Sequence, residues 1–295
     1  MQAPSILGLK PSGVEALADA LVTPDFVRQL DIQLPIIDVP TLNEHYSIER
    51  DPKTGCLNTG PIRHFSGRLS EVITKSVLRE EFPLVLGGDC SILLGIMPAL
   101  KKCGSYGLIF LDAHADFYLP DQSPTGEVAD MDLALITGRG PKELSDIENL
   151  SPYVTEENII HVGQRDLAET RRWGATNLSE TAITSYDLAT IRKKGISNVF
   201  NQMELSMERS STKGYWLHFD TDVLSDEINP AVDYRIPGGL TEAEARLILG
   251  RLLSTSSING MSVTIYNPKI DPAGNAGNVI SAIIINAFKD AFIRT

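Results

Sequence analysis

Short apolar runs alternate with amphipathic stretches along almost the whole chain, and no other feature limits the fold as strongly. FPLVLGG is apolar throughout and reads as a strand buried on both faces. GRLSEVITKSVLREE places Leu69, Val72, Ile73 and Leu78 near a 3.6-residue period and reads as a helix. By the same signals SILGL, PIIDVP, YGLIFLDAHAD, NIIHVGQRD, ITSYDL, GYWLHFDTDVL and INGMSVTIYNP read as strands. GVEALADAL, PDFVRQL, SILLGIMPALKKCG, DMDLALITGRG, ISNVFNQMELSM, TEAEARLILGRLLS and AGNVISAIIINAFKDAFI read as helices. Repeated strand–helix units predict an α/β fold with a central, mainly parallel sheet covered on both faces. In such sheets a site lies beyond the carboxyl ends of the strands. No Pro/Gly/Ser-rich linker, charge block or repeat divides the chain. Its 295 residues, 42% hydrophobic, suit a single domain over 1–295.

The formal charge of −12 and a pI near 4.9 set this surface against phosphate backbones and anionic membranes, so neither nucleic acid nor membrane is an expected partner. A small cationic substrate would be attracted, although acidity also serves solubility alone. Three cysteines, Cys56, Cys90 and Cys103, make no disulfide framework. Residues 1–20 show no signal peptide, and the apolar runs are too short to span a bilayer, so a cytoplasmic location is expected.

Three strand ends carry unusual polarity. VLGGDCS places Cys90 after a glycine pair and an aspartate. LIFLDAHAD sets Asp112, His114 and Asp116 at every second position, and YWLHFDTDVLSD does the same with His218, Asp220 and Asp222. Side chains two apart on a strand share a face, so each motif is expected to present its row in one direction. Four carboxylates at the ends of buried strands need a counter-charge, and neither motif contains Lys or Arg. Divalent metal is the expected answer, and two ions sharing carboxylates use the ligands better than one. Carboxylates with an imidazole suit manganese over zinc. The plainer alternative is a set of solvated loop acids beside a core histidine.

These motifs resemble the ureohydrolase family, which includes arginase, agmatinase and formimidoylglutamase. The family pattern GGDH-S, DAHxD, SFDxD and GGLT-x-x-E stands here, in order, as GGDCS, DAHAD, HFDTD and GGLTEAE. The resemblance covers nearly the whole chain. It implies a single-domain, three-layer α/β fold, often a homo-oligomer (trimer or hexamer), with two divalent ions, manganese by preference. The implied reaction is attack of a metal-activated water on a guanidino or amidino carbon, releasing urea or an analogue and an amine. The implied metal ligands are Cys90, Asp112, His114, Asp116, Asp220 and Asp222. The implied catalytic residues are Asp116, which would pass a proton to the leaving amine, and Glu244, which would hold the guanidinium.

Several positions depart from the family pattern. Cys90 replaces a metal-binding histidine and can be read as a thiolate ligand, a nucleophile or a small buried residue; sulfur would draw the site toward zinc or iron. Ala129 stands where arginases and agmatinases keep a histidine, with Glu127 or Asp130 as candidate replacements. Ala168 stands where arginases keep an acid for the amino-acid head, so L-arginine is expected to be a poor substrate. His218 reads either as a support to the metal cluster or as a core residue, and His161 as structural. Two further readings stay open: a degenerate member that binds metal or ligand without turnover, and a hydrolase of another C–N bond such as an N-hydroxyguanidine.

Overall fold

The computed structural model describes residues 1–32, 35–41 and 46–292. Seven parallel strands form one sheet: β1 (Gln2–Ala3), β2 (Leu84–Gly87), β3 (Gly107–Leu111), β4 (Ile159–Val162), β5 (Thr184–Tyr186), β6 (Tyr215–Asp220) and β7 (Ile258–Thr264). Their order is β1-β2-β7-β6-β3-β4-β5. The chain therefore runs outward from β3 through β4 to β5, then returns to insert β6 and β7 between β3 and β2. That reversal brings sequence-distant strand ends together.

The buried strands alternate their allegiance. Leu108 and Phe110 of β3, with Trp216 of β6, pack into the layer that holds Phe65 and Leu69 of the helix Thr59–Leu78 and Leu93 to Leu100 of the helix Leu93–Cys103. Ile109, Leu111, Leu217 and Phe219 face the opposite layer, with Ile248 of the helix Glu242–Leu253 and Ile284 of the helix Asn275–Phe292. Both faces are covered, as continuous apolar strands require.

Two expected strands are not formed as read. β1 is only Gln2–Ala3, and Ser5 to Leu9 turn away from the sheet in a loop. The reason is local. Ser5 Oγ and the Gly8 amide both donate to the Asp89 carboxylate, at 2.9 and 3.2 Å, which ties the loop across the end of β2. A Cβ on Gly88 would lie 1.7 Å from the Ser5 carbonyl oxygen, so only glycine permits this crossing. PIIDVP contributes one isolated bridge, Asp38 to Gln2, rather than a second strand.

Candidate metal centre

Register builds the site. Leu111 of β3 stands opposite Phe219 of β6, so Asp112 and Asp220 emerge side by side. Asp220 pairs in turn with Thr264 of β7, and Leu86 of β2 pairs with Val263. Cys90, one tight turn beyond β2, therefore arrives beside Asp220: its Sγ donates to Asp220 Oδ2 at 2.8 Å. Asp89 holds that turn by accepting the Ser91 amide at 2.9 Å, so this acid caps backbone and does not join the cluster.

The expected row of ligands along a strand face is corrected by the structure. β3 ends at Leu111, and Asp112 to Asp116 form a loop in which Asp116 has a positive φ of 45°. β6 ends at Asp220, which caps the following turn by accepting the Asp222 amide at 2.8 Å. The carboxylates converge because the backbone folds back on itself, not through strand alternation. Asp112 Oδ1 accepts the His114 amide at 2.6 Å, while its Oδ2 is buried without a hydrogen-bond partner. His114 Nδ1 lies 2.9 Å from Asp222 Oδ2, and Asp222 Oδ1 accepts the Ala113 amide at 3.1 Å.

Three donor groups result, each with its ligand atoms within 4.8 Å of one another: Asp112, His114 and Asp116; Cys90, Asp116 and Asp132; and Cys90, Asp112, His218 and Asp220. Five of the six expected ligands appear in them. Asp222 does not, because its carboxylate is turned to His114 and the Ala113 amide. This buried acid set, with an unpartnered carboxylate oxygen and a thiol, fits divalent cations.

Burial dominates the electrostatics. It raises Asp112 to about 7, with the Asp222 charge pushing the same way. It also drives Asp116 and Asp220 well above the carboxylate range, and Cys90 well above the ordinary thiol value. Asp222 alone among these acids is lowered overall, because the imidazole beside it and its hydrogen bonds outweigh its burial. His114 is raised by Asp222 and Asp112 despite its burial. Burial therefore favours the protonated forms of Asp112, Asp116, Asp220 and Cys90, and the ionised form is kept at Asp222.

The supporting residues are well defined. Arg165 reaches under the β6 loop, and its Nη2 donates to the carbonyls of Asp222 and Leu224 at 2.7 and 3.2 Å. It is a cation near the cluster that neither acidic motif contains. Buried His161 meets the His114 carbonyl through Nε2 at 2.7 Å, and burial lowers it to about 4, so it holds the loop as a neutral ring. His218 stacks on Phe110 and meets Ser262 Oγ at 2.8 Å, and burial lowers it to about 3. Its ring nitrogen belongs to the third donor group. Cys56 is buried beside Met131, and neither it nor Cys103 joins a donor group.

A cavity opens over the cluster, lined by Cys90, His114, Asp116, Asp220 and Asp222 at its floor. Glu127, Asp130, Asp166, Glu169, Asp233 and Tyr234 line the rest together with Ala129, and no Lys or Arg is among the described lining residues. Ala168 is thus followed by an acid that does reach the cavity, Glu169. Glu127 accepts the Tyr234 hydroxyl at 2.8 Å. Asp130 Oδ2 accepts from Ser123 Oγ at 2.7 Å, and burial raises its carboxyl to about 7.

Glu244 is not brought to this cavity. It closes a capping box at the start of the helix Glu242–Leu253: its Oε2 accepts the Thr241 amide at 2.8 Å and the Thr241 hydroxyl at 3.0 Å. Its other oxygen pairs with Arg192 at 2.5 Å. The GGLTEAE motif signals a helix start as well as a family position, and the local bonds hold the carboxylate there.

Sequence reasoning also missed Asp132, Asp233 and Tyr234. Asp132 had a legible signal, a single acid in the otherwise apolar run DLALI, all five residues of which are buried.

A parallel α/β sheet with a buried thiol, imidazole and carboxylate cluster beyond its carboxyl edge defines the class of α/β proteins with a candidate metal centre at the strand ends. The arginase family model matches residues 14–289. An arginase of Staphylococcus aureus (strain MRSA252) is 32% identical over 82% of this chain and 76% of its own length. Another from strain COL is 29% identical over 99% of this chain and 96% of its own. The crystal structure of Bacillus subtilis arginase superposes with a TM-score of 0.84 at 24% identity, covering 97% of this chain and 96% of that one. The chain belongs to the arginase family, hydrolases of carbon–nitrogen bonds.

Proposed function

We propose that this protein is a binuclear metal-dependent hydrolase of a small cationic guanidino compound, releasing urea or a urea analogue and an amine. The observation that carries it is the convergence of Cys90, Asp112, His114, Asp116 and Asp220, from three separated motifs, into overlapping donor groups at the floor of one cavity. Bound divalent ions, manganese by preference, would neutralise these acids and lower the pKa of a water toward neutrality.

The rest belongs to the chain. Asp116 is shared by two donor groups and also lines the cavity, so its carboxylate can take a proton from the attacking water and give it to the departing amine. Acids on the cavity wall, chiefly Glu127, Asp130 and Glu169, would hold the guanidinium and any second cationic end. Asp130 also supports turnover over a purely binding role. With its carboxyl raised to about 7, it can gain and lose a proton at neutral pH, as a histidine at position 129 would. The reading extends to a homo-oligomer, trimer or hexamer, acting in the cytoplasm. No helix among the described residues is long and apolar enough to cross a membrane.

The test is elemental analysis of mildly purified protein, then a urea-release screen over guanidino compounds with and without added manganese. Two equivalents of metal and chelator-sensitive urea release are expected. Less than about half an equivalent, with activity indifferent to chelator, would refute it.

A further inference from the structure

We propose that Asp132 is a ligand for the ion on the Cys90 side of the cluster, acting with Cys90 and Asp116; the inference rests on the binuclear reading above. Asp132 is fully buried, at the start of the short helix Asp132–Ile136, whose other residues are apolar. Neither of its carboxylate oxygens has a well-formed hydrogen bond, the adjacent Leu133 amide being the one backbone group near enough to favour its charge. An ionised carboxylate in that position is costly unless a cation meets it. No Lys or Arg bonds it among the described residues. What lies near is Cys90 and Asp116, with the three ligand atoms within 4.8 Å of one another.

The partition of donors strengthens the assignment. The group Asp112, His114 and Asp116 and the group Cys90, Asp116 and Asp132 share one member, Asp116. Two three-donor groups that share Asp116, with Cys90 and Asp112 also brought together beside Asp220 in the third group, match what two neighbouring ions need. The groups differ in kind: one has imidazole and oxygen, the other sulfur and oxygen. The two ions would therefore differ in affinity and in metal preference, the sulfur side being the softer. Asp132 supplies a charged donor on the side where Cys90 replaces a histidine.

The experiment compares the full-length protein with D132N, D132S and C90S, each stripped with chelator and reloaded with cobalt(II). Metal content is measured after gel filtration, the near-ultraviolet thiolate-to-cobalt band is recorded, and thermal unfolding is followed with and without metal. The unsubstituted protein is expected to hold two equivalents and show the band, and C90S to lack the band. D132N and D132S are expected to unfold, metal-free, at or above the unsubstituted protein's temperature, since a buried acid is gone. Each should retain about one equivalent, lose most of the band, and bind the second ion at least tenfold more weakly. If both variants take up two equivalents with unchanged affinity and an unchanged band, Asp132 is not a ligand, and the binuclear reading survives. If the unsubstituted protein itself holds no metal, that reading falls and takes this one with it.

Discussion

The strand ends of β3 and β6 and the start of the helix Glu242–Leu253 carry equally family-like motifs, yet only the strand ends bring acids into the donor groups beneath the cavity. Asp112 and Asp220 are placed by sheet register, and each gives only its Oδ1 to a local backbone amide, which leaves Oδ2 for whatever the neighbouring strand end presents. Glu244 is placed by its own backbone. The Thr241 amide and hydroxyl hold one oxygen and Arg192 the other, so the group is satisfied where it stands. The difference teaches that a motif predicts position only as far as its local hydrogen bonds leave the side chain unengaged.

The hardest test of that contrast is Asp116→Asn. Removing a proton carrier that also ligates metal should lower kcat/KM by about 10²–10⁴-fold, with reduced metal content, as read by urea release and elemental analysis. A loss under tenfold would remove Asp116 from the chemistry and leave the strand ends no better placed than the helix.

Substrate choice sharpens the picture of the cavity. Glu127, Asp130, Glu169 and Asp233 line it without a described Lys or Arg. A guanidino compound bearing a free carboxylate should therefore be disfavoured. Agmatine is expected to exceed L-arginine by about tenfold or more in urea release at equal concentration, roughly 1.4 kcal/mol. Arginine outperforming agmatine by tenfold would mean that the wall acids do not set specificity.

Chelation and pH separate the two regions by their protons. Burial raises Asp112 to about 7, against an unfolded value near 4. A raised carboxyl favours the folded state below its unfolded pKa, and that contribution is lost as pH rises through about 7. In chelator, Tm should therefore fall between about pH 4 and pH 7 and level off above that, by roughly 2–4 °C for each kcal/mol lost. Added manganese should oppose the fall, because ligands bind metal deprotonated. A flat chelated profile would show that the cluster does not hold its protons.

The smallest effect is expected at Glu244→Gln. Glutamine can keep the capping box, and a partly exposed pair such as Arg192 with Glu244 contributes about 0–1 kcal/mol. Activity should stay within threefold or so, with nearly unchanged Tm. A fall of about 30-fold or more, some 2 kcal/mol, would show that substrate draws Glu244 into the cavity, and the comparison would break.

The sequence by itself determined the parallel α/β architecture, because strand and helix periods alternate visibly and the buried strands are apolar throughout. It also determined most of the cluster: Cys90, Asp112, His114, Asp116 and Asp220 lie within or just beyond such strands, where sheet order and register bring them together. Only tertiary structure decided the rest. Asp116 reaches the site through a left-handed backbone turn, which no spacing rule forecasts. Asp222 turns to His114, and Asp132 enters from a short helix distant in the chain from Cys90. Glu169 and Tyr234 become cavity wall through loop packing. Periodicity records which face a residue takes within its own element. Which distant element that face meets, and whether a nearby donor has already engaged the side chain, is settled only when the loops close.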